Sequence, residues 1–217
     1  MGSITRSFAN NIGTSGILKA GAFNNASLNN VTALNAAVST GNMVLISSQT
    51  ASNSASISFT TGIDSTYKEY QFWFINVGAR TSSSEFRFQG STNGGSSYGV
   101  TITSTLFRAY NYENDSGAGL GYITTSDLAQ STDFQPLIQT TSIGINSDDC
   151  LGGSMSLFNP ASTTYVKHFI SNVTAAENGN WHSQMAGYFN TTSAINAVQF
   201  KMGSGNMDGT ILMYGIK

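Results

Sequence analysis

Charge is what this chain has least of. Only 9% of its 217 residues are Asp, Glu, Lys or Arg, where about 25% is typical of a soluble domain. Nine Lys and Arg spread along the chain, against a net charge of -2, cannot form the basic footprint that phosphate binding needs, which excludes an electrostatic nucleic-acid binder. Cysteine is nearly absent as well. With Cys150 alone there is no intramolecular disulfide framework, and most cysteine-based metal sites are ruled out. No apolar run approaches 18 residues, Met1-Gly-Ser-Ile-Thr-Arg lacks a signal-peptide core, and Arg6 stands where a myristoylation signal wants Ser or Thr. The expectation is a protein made and folded in a cytoplasm, without membrane insertion. The Asn-x-Ser/Thr triplets at Asn25, Asn30, Asn114, Asn172 and Asn190 then read as chance in a chain rich in these residues.

What is present is a core and a neutral polar coat. Hydrophobic content is 40% and aromatic content 11%, and a chain of this length buries roughly 70% of its unfolded surface. One main domain is expected. A surface of Ser, Thr, Asn and Gly avoids long-range repulsion between copies, which suits a protein packed many times into an assembly; it equally suits a β protein with one Ser/Thr-rich face.

Residues 55–77 set the grammar of the fold. Ala55, Ile57 and Phe59 alternate with Ser54, Ser56, Ser58 and Thr60, the period of a strand with one wet face. Gly62, Asp64 and Ser65 break the run, and from Glu69 to Val77 a second strand follows as the other arm of a hairpin. Tyr70, Phe72 and Phe74 occupy one of its faces and Trp73, Ile75 and Val77 the other, which predicts a central strand buried on both sides. If the first set fills the core, something must cover the second. A neighbouring subunit is the favoured cover over residues 1–41 or a long loop at Tyr110–Gly121, so Trp73, Ile75 and Val77 are read as an oligomer interface and the protein as a homotrimer.

Residues 1–41 differ in kind, with Asn doublets, scattered glycines and small apolar side chains. They read as an extended arm for attachment and assembly, with Ile4, Arg6, Phe8, Ile12, Ile17 and Leu18 as its contact residues. The one helical stretch in it, Ala33–Val38, is too short to stand alone. From residue 42 strand signals alternate with turns. Met43–Ser48 comes first, and Glu85–Gln89 with Phe86 and Phe88 inward predicts a hairpin through Asn93-Gly94-Gly95 to Val100 and Ile102. Further strands are expected at Leu106–Tyr112, Leu120–Thr125, Leu137–Ile145, Gly153–Phe158, Tyr165–Ile170 and Trp181–Phe189. A last pair, Ile195–Met202 and Thr210–Ile216, is expected across Gly203-Ser-Gly-Asn206. About a dozen strands and no convincing long helix predict an all-β fold: an antiparallel, jelly-roll-like β-sandwich over residues 42–217.

Chemistry is weakly signalled. His168, His182, Cys150 and Asp148-Asp149 lie in separate segments with no nucleophile motif. Asn111–Gly117 resembles a calcium loop, but its glycine is one position late and no Glu follows where one is required. The eleven acidic residues single out no pair spaced for glycoside hydrolysis. No catalytic, metal or cofactor site is assigned. Tyr98, Tyr110, Tyr112, Tyr122 and Trp181 are the residues from which a sugar-binding surface could be made, although core or interface packing is the commoner role.

Several stretches carry a family resemblance: Ile4-Thr-Arg-Ser-Phe-Ala-Asn-Asn, Ser56-Ile-Ser-Phe-Thr-Thr-Gly-Ile-Asp-Ser-Thr-Tyr, Gly90-Ser-Thr-Asn-Gly-Gly-Ser-Ser-Tyr, Phe158-Asn-Pro-Ala-Ser-Thr-Thr and Gly209-Thr-Ile-Leu-Met-Tyr-Gly-Ile-Lys. With these the chain resembles virion structural proteins of tailed bacteriophages, the type found among phages of cyanobacteria and other marine bacteria. The resemblance implies a β-sandwich on the particle exterior, commonly with three-fold assembly, acting as a decoration, cement or fibre-like component among other capsid or tail proteins. It supplies no catalytic residue. The alternative it leaves open is a tail receptor-binding module that reads a host surface glycan.

Overall fold

A computed structural model of the protein describes residues 42–139 and 143–217. The arm, its short helical stretch and the contact residues Ile4, Arg6, Phe8, Ile12, Ile17 and Leu18 lie outside the described residues. What is described is two antiparallel sheets packed face to face. The larger has eight strands in the order β1 (Met43–Ser54), β12 (Met207–Ile216), β3 (Glu69–Ala79), β8 (Leu151–Phe158), β9 (Lys167–Ala176), β10 (Gly179–Phe189), β5 (Ile102–Tyr112) and β6 (Ala118–Tyr122). The smaller runs β2 (Ile57–Phe59), β11 (Ala197–Met202), β4 (Phe86–Ser91) and β7 (Gln135–Pro136). No helix occurs among the described residues.

Phenylalanines hold the sheets together. Phe200 of β11 lies 5.2 Å from Phe72, 5.3 Å from Phe74 and 5.7 Å from Phe86, while Phe88 meets Phe169 edge-on at 5.0 Å. All of these are essentially fully buried. Such rings carry large apolar areas into the core, and their tilted and edge-on pairs add a further 0.5–1.5 kcal/mol or so each.

The strands are where alternation places them, but the partners differ. Residues 57–59 and 69–77 do not form a hairpin: β2 pairs with β11 in the small sheet and β3 with β12 and β8 in the large one. The expected hairpin through Asn93-Gly94-Gly95 is also a crossing, since β4 pairs with β11 and β7 whereas β5 pairs with β10 and β6. The turn itself is as read, with Gly94 and Gly95 at φ of 70° and 87°. The last two strands likewise part company, β11 into the small sheet and β12 into the large. In each case a polar turn carries the chain over the edge of the sandwich. The consecutive hairpins, β5–β6, β8–β9 and β9–β10, all lie in the large sheet.

The expected strand at Leu137–Ile145 is replaced by the short β7, followed by buried Leu137, Ile138 and Ile143 in segments without strand pairing. Thr140–Ser142 lie outside the described residues.

β3 is central, as expected, but it is not buried on both sides, since Trp73 and Ile75 are open to solvent on its outer face, and its alternation slips. Registers with both β12 and β8 shift around Ile75 and Asn76, where Asn76 adopts φ of 50°. This bulge adds a residue on one strand and reverses the facing of everything after it. Val77 and Ala79 therefore point into the core with Tyr70, Phe72 and Phe74, and Val77 is fully buried. That corrects its assignment to the outer face. Opposite the bulge, Gly209 has φ of 117°, and a Cβ there would lie 2.6 Å from the Asn76 carbonyl oxygen, so only glycine fits.

Candidate interaction surface

The outer face of the large sheet is the feature that stands out. Residues directly opposite in antiparallel strands share a face, so its composition can be followed across all eight strands. One row runs Ser48, Leu212, Trp73, Ser154, Asn172, Gln184, Phe107, Tyr122. A neighbouring row runs Leu45, Tyr214, Gln71, Ser156, Ile170, Ala186, Thr105. Neither row contains a charged residue. In the next, Glu69 is tied to the Ser156 hydroxyl at 2.7 Å.

Large apolar groups stand out of this face. Trp73 is 40% exposed, Ile75 41%, Phe107 44% and Ile170 55%, and Leu45, Leu120 and Tyr122 are also exposed. Isolated exposed apolar residues are ordinary, but grouped ones mark an interaction surface; here they form two groups, Leu45, Trp73 and Ile75 on one side and Ile170, Phe107, Leu120 and Tyr122 on the other, with Ser154, Ser156, Asn172 and Gln184 between.

The face is not uniform. Towards β1, β12 and β3 it is raised: the Trp73 ring leans on Tyr214 at 5.4 Å, and its indole N–H donates to Gln71 Oε1 at 2.8 Å. Towards β9, β10 and β5 it is hollow. Ala186 floors a depression of about 430 Å³ walled by Ile170, His168, Tyr188, Thr103 and Thr105, and a smaller one of about 210 Å³ adjoins it between Ile170 and Phe107.

Of the interface residues read from the sequence, Trp73 and Ile75 lie together on this face and Val77 does not. Tyr110–Gly121 is no long loop. It is the β5–β6 hairpin, closed by Tyr112 N–H to the Gly117 carbonyl at 3.0 Å and an Asn114 side-chain turn to Ser116. The same geometry makes Asn111–Gly117 a tight turn rather than a calcium loop.

The chemically suggestive residues are not brought together. His182 bonds Asn172 at 2.7 Å and His168 packs on Tyr188, both on the outer face. Cys150 lies instead with Asp148 and Asp149 in a cleft of about 710 Å³ at one end of the sandwich. There Asp208 pairs with Arg80 at 2.5 Å, and Asp149 accepts from the Asn146 N–H at 2.9 Å. Burial, then the Asp149 charge, pushes the Glu177 carboxyl above its ordinary value. Among the described residues no group of three or more His, Cys, Asp or Glu could hold a metal ion.

The aromatic residues considered for sugar binding are mostly packing groups. Trp181 is buried, stacks on Tyr110 at 5.2 Å and meets Tyr112 edge-on, and the Arg108 guanidinium covers both Tyr110 and Trp181. Tyr98 packs against Phe134. Only Tyr122 of the five is largely open to solvent, and its hydroxyl donates to Asp127 at 2.5 Å.

Two buried polar sites carry no strong sequence signal. Gln89 is fully buried, because the backbone at Val100 and at Thr132–Asp133 lies over its side chain. Its amide nitrogen donates to the carbonyls of Val100, Thr132 and Asp133, and its oxygen accepts from Gly90 N–H. Lys167 is also fully buried, its ammonium donating to the Tyr165 and Thr191 carbonyls. Both tie loops to strands.

No protein-family model and no curated protein matches the chain.

Proposed function

We propose that this protein is a non-enzymatic structural component of a bacteriophage particle, an exterior decoration, cement or fibre-like protein that assembles with copies of itself, three to a unit. Residues 1–41 dock it to other virion proteins. The observation that carries the reading is the outer face of the large sheet, with one row of eight residues and one of seven free of charge and Trp73, Ile75, Ile170 and Phe107 exposed to water.

Size supports it. Eight strands at about 4.8 Å spacing span roughly 38 Å, and with strands of up to a dozen residues the face offers on the order of 1,000 Å², against about 800 Å² per partner in a standard interface. Two such faces meet without like-charge repulsion. The energy is modest per residue: Trp73 keeps only 40% of its area exposed, so covering the remaining 60–100 Å² or so contributes about 2 kcal/mol. The array, rather than one anchor, must hold the unit together. The phage setting rests on the motif resemblance.

Light scattering of the full chain at micromolar concentration tests the reading, with a three-copy mass expected. A monomer throughout that range overturns it. Locating the protein on the particle by cryo-electron microscopy tests the setting, with many symmetry-related exterior copies expected.

A further inference from the structure

The outer face has a raised half and a hollow half, and this asymmetry bears on how copies meet. Resting on the self-assembly reading above, we infer that the contact is ridge to hollow: the Trp73 ridge of one copy seats in the depression over Ala186 of the next.

The fit is chemical as well as geometric. A buried indole normally needs a partner for its N–H. Trp73 brings its own, because Gln71 on the same strand already accepts that hydrogen bond at 2.8 Å, so the ring can enter an apolar hollow with its N–H satisfied. The hollow offers the methyl of Ala186 as floor and Ile170 and the Tyr188 ring as walls. Its volume of about 430 Å³ accommodates an indole.

Position adds a constraint. Trp73 on β3 and Ala186 on β10 are separated by β8 and β9, a lateral offset of roughly 14 Å at 4.8 Å per strand. The ridge and the hollow are therefore separate sites, and in a three-copy unit each copy presents its ridge to one neighbour and its hollow to the other, whereas a two-copy mass for the wild type would mean reciprocal docking about a two-fold axis. Contacts of this head-to-tail kind close into rings when the rotation allows, and three copies make such a ring. Between the two halves the face carries Ser154 and Ser156, small enough to let backbones approach.

The test uses the full chain and three variants, with mass read by sedimentation velocity or light scattering and folding by thermal melt. Trp73→Ser removes the ridge. Ala186→Arg fills the hollow from a side chain that points outward, and Thr105→Arg on the rim replaces it if Ala186→Arg fails to fold. Each variant alone is expected to be a folded monomer. An equimolar mixture of ridge and hollow variants is expected to give a two-copy species, because one intact ridge then meets one intact hollow, and to stop there. If filling the hollow leaves the wild-type mass unchanged, or if the mixture stays monomeric, ridge-to-hollow docking is wrong, and any self-assembly of the wild type then rests on other contacts of the face. A monomeric wild type overturns both. If the wild type is monomeric and a neutral oligosaccharide binds it but not Ala186→Arg, the hollow is a sugar site.

Discussion

Phe59 meets Phe72 edge-on with ring centroids 5.4 Å apart and planes at 62°, although the strands that carry them belong to different sheets. Trp73, the next residue along, points the other way into solvent. Adjacent residues on one strand thus serve different ends: Phe72 the free energy of the fold and Trp73, in the proposed assembly, that of association.

Exchanging either residue for Ser separates the two. Phe72→Ser removes a ring packed on both Phe59 and Phe200 and is expected to cost about 3–5 kcal/mol of domain stability, as large-to-small changes of buried aromatics do. Trp73→Ser is expected to leave urea unfolding of the monomer within about 1 kcal/mol of wild type, as surface changes usually do. The reverse ranking in denaturation would mean that the faces of β3 are exchanged.

The bulge at Asn76 makes a second prediction. Asn tolerates the left-handed region where β-branched residues do not, so Asn76→Val is expected to lose about 1–3 kcal/mol. Asn76→Gly should stay close to wild type. Deleting Asn76 should be tolerated better than Asn76→Val, because removing the extra residue restores strict alternation and leaves Val77 and Ala79 facing the core; circular dichroism of the deletion variant should still show a cooperative melt.

Gln89 gives a third. Gln89→Leu keeps the bulk and leaves the Val100, Thr132 and Asp133 carbonyls without their amide donor, so a loss of about 2 kcal/mol or more is expected. Protection of amides in residues 126–136 against hydrogen exchange should fall first. Uniform protection in the variant would show that this segment is held by something else.

Lys167 predicts a pH dependence. Burial holds its ammonium below the ordinary lysine value of 10.5, so the unfolded chain binds this proton more tightly than the folded one. Its penalty is fully present below the folded-state value and is relieved as pH rises through that value towards 10.5. Wild type should therefore gain stability relative to Lys167→Met over this alkaline window. A difference that is flat, or that shrinks on the alkaline side in favour of the variant, contradicts the assignment.

Much of the fold was legible because alternation reports which side chains are buried. The Phe86/Phe88 and Tyr70/Phe72/Phe74 sets point inward as their spacing demands. Alternation does not report which strand lies alongside. A run such as Asn93-Gly94-Gly95 tolerates the same positive φ whether the chain doubles back or crosses to the other sheet, and so three expected hairpins proved to be crossings. The outer face was legible in Trp73 and Ile75 and misread at Val77, because a bulge is set by the registers of β8 and β12 rather than by β3 alone. Gln89 was hidden for another reason: its cover, the backbone at Val100 and Thr132–Asp133, has no apolar periodicity to announce it. The hollow over Ala186 depends on a cross-strand neighbourhood, Ile170 beside Ala186 beside Thr105, that only the strand order creates.

The place of β12 has a kinetic consequence. It lies between β1 and β3, pairing Met43 with Ile216 on one side and Glu69 with Ile216 on the other, yet it is the last of these strands to be made. Until it emerges, two of the earliest strands lack their shared neighbour, and pairings so distant in sequence are slow to form. Completion of the large sheet therefore waits for the last of its strands to be made, and the nascent chain passes through a stage with the edges of β1 and β3 open. The scarcity of charge that suits the finished face leaves that stage poorly defended against wrong pairing. Yield on expression should accordingly fall more steeply with temperature than the melting point of the folded protein alone would dictate.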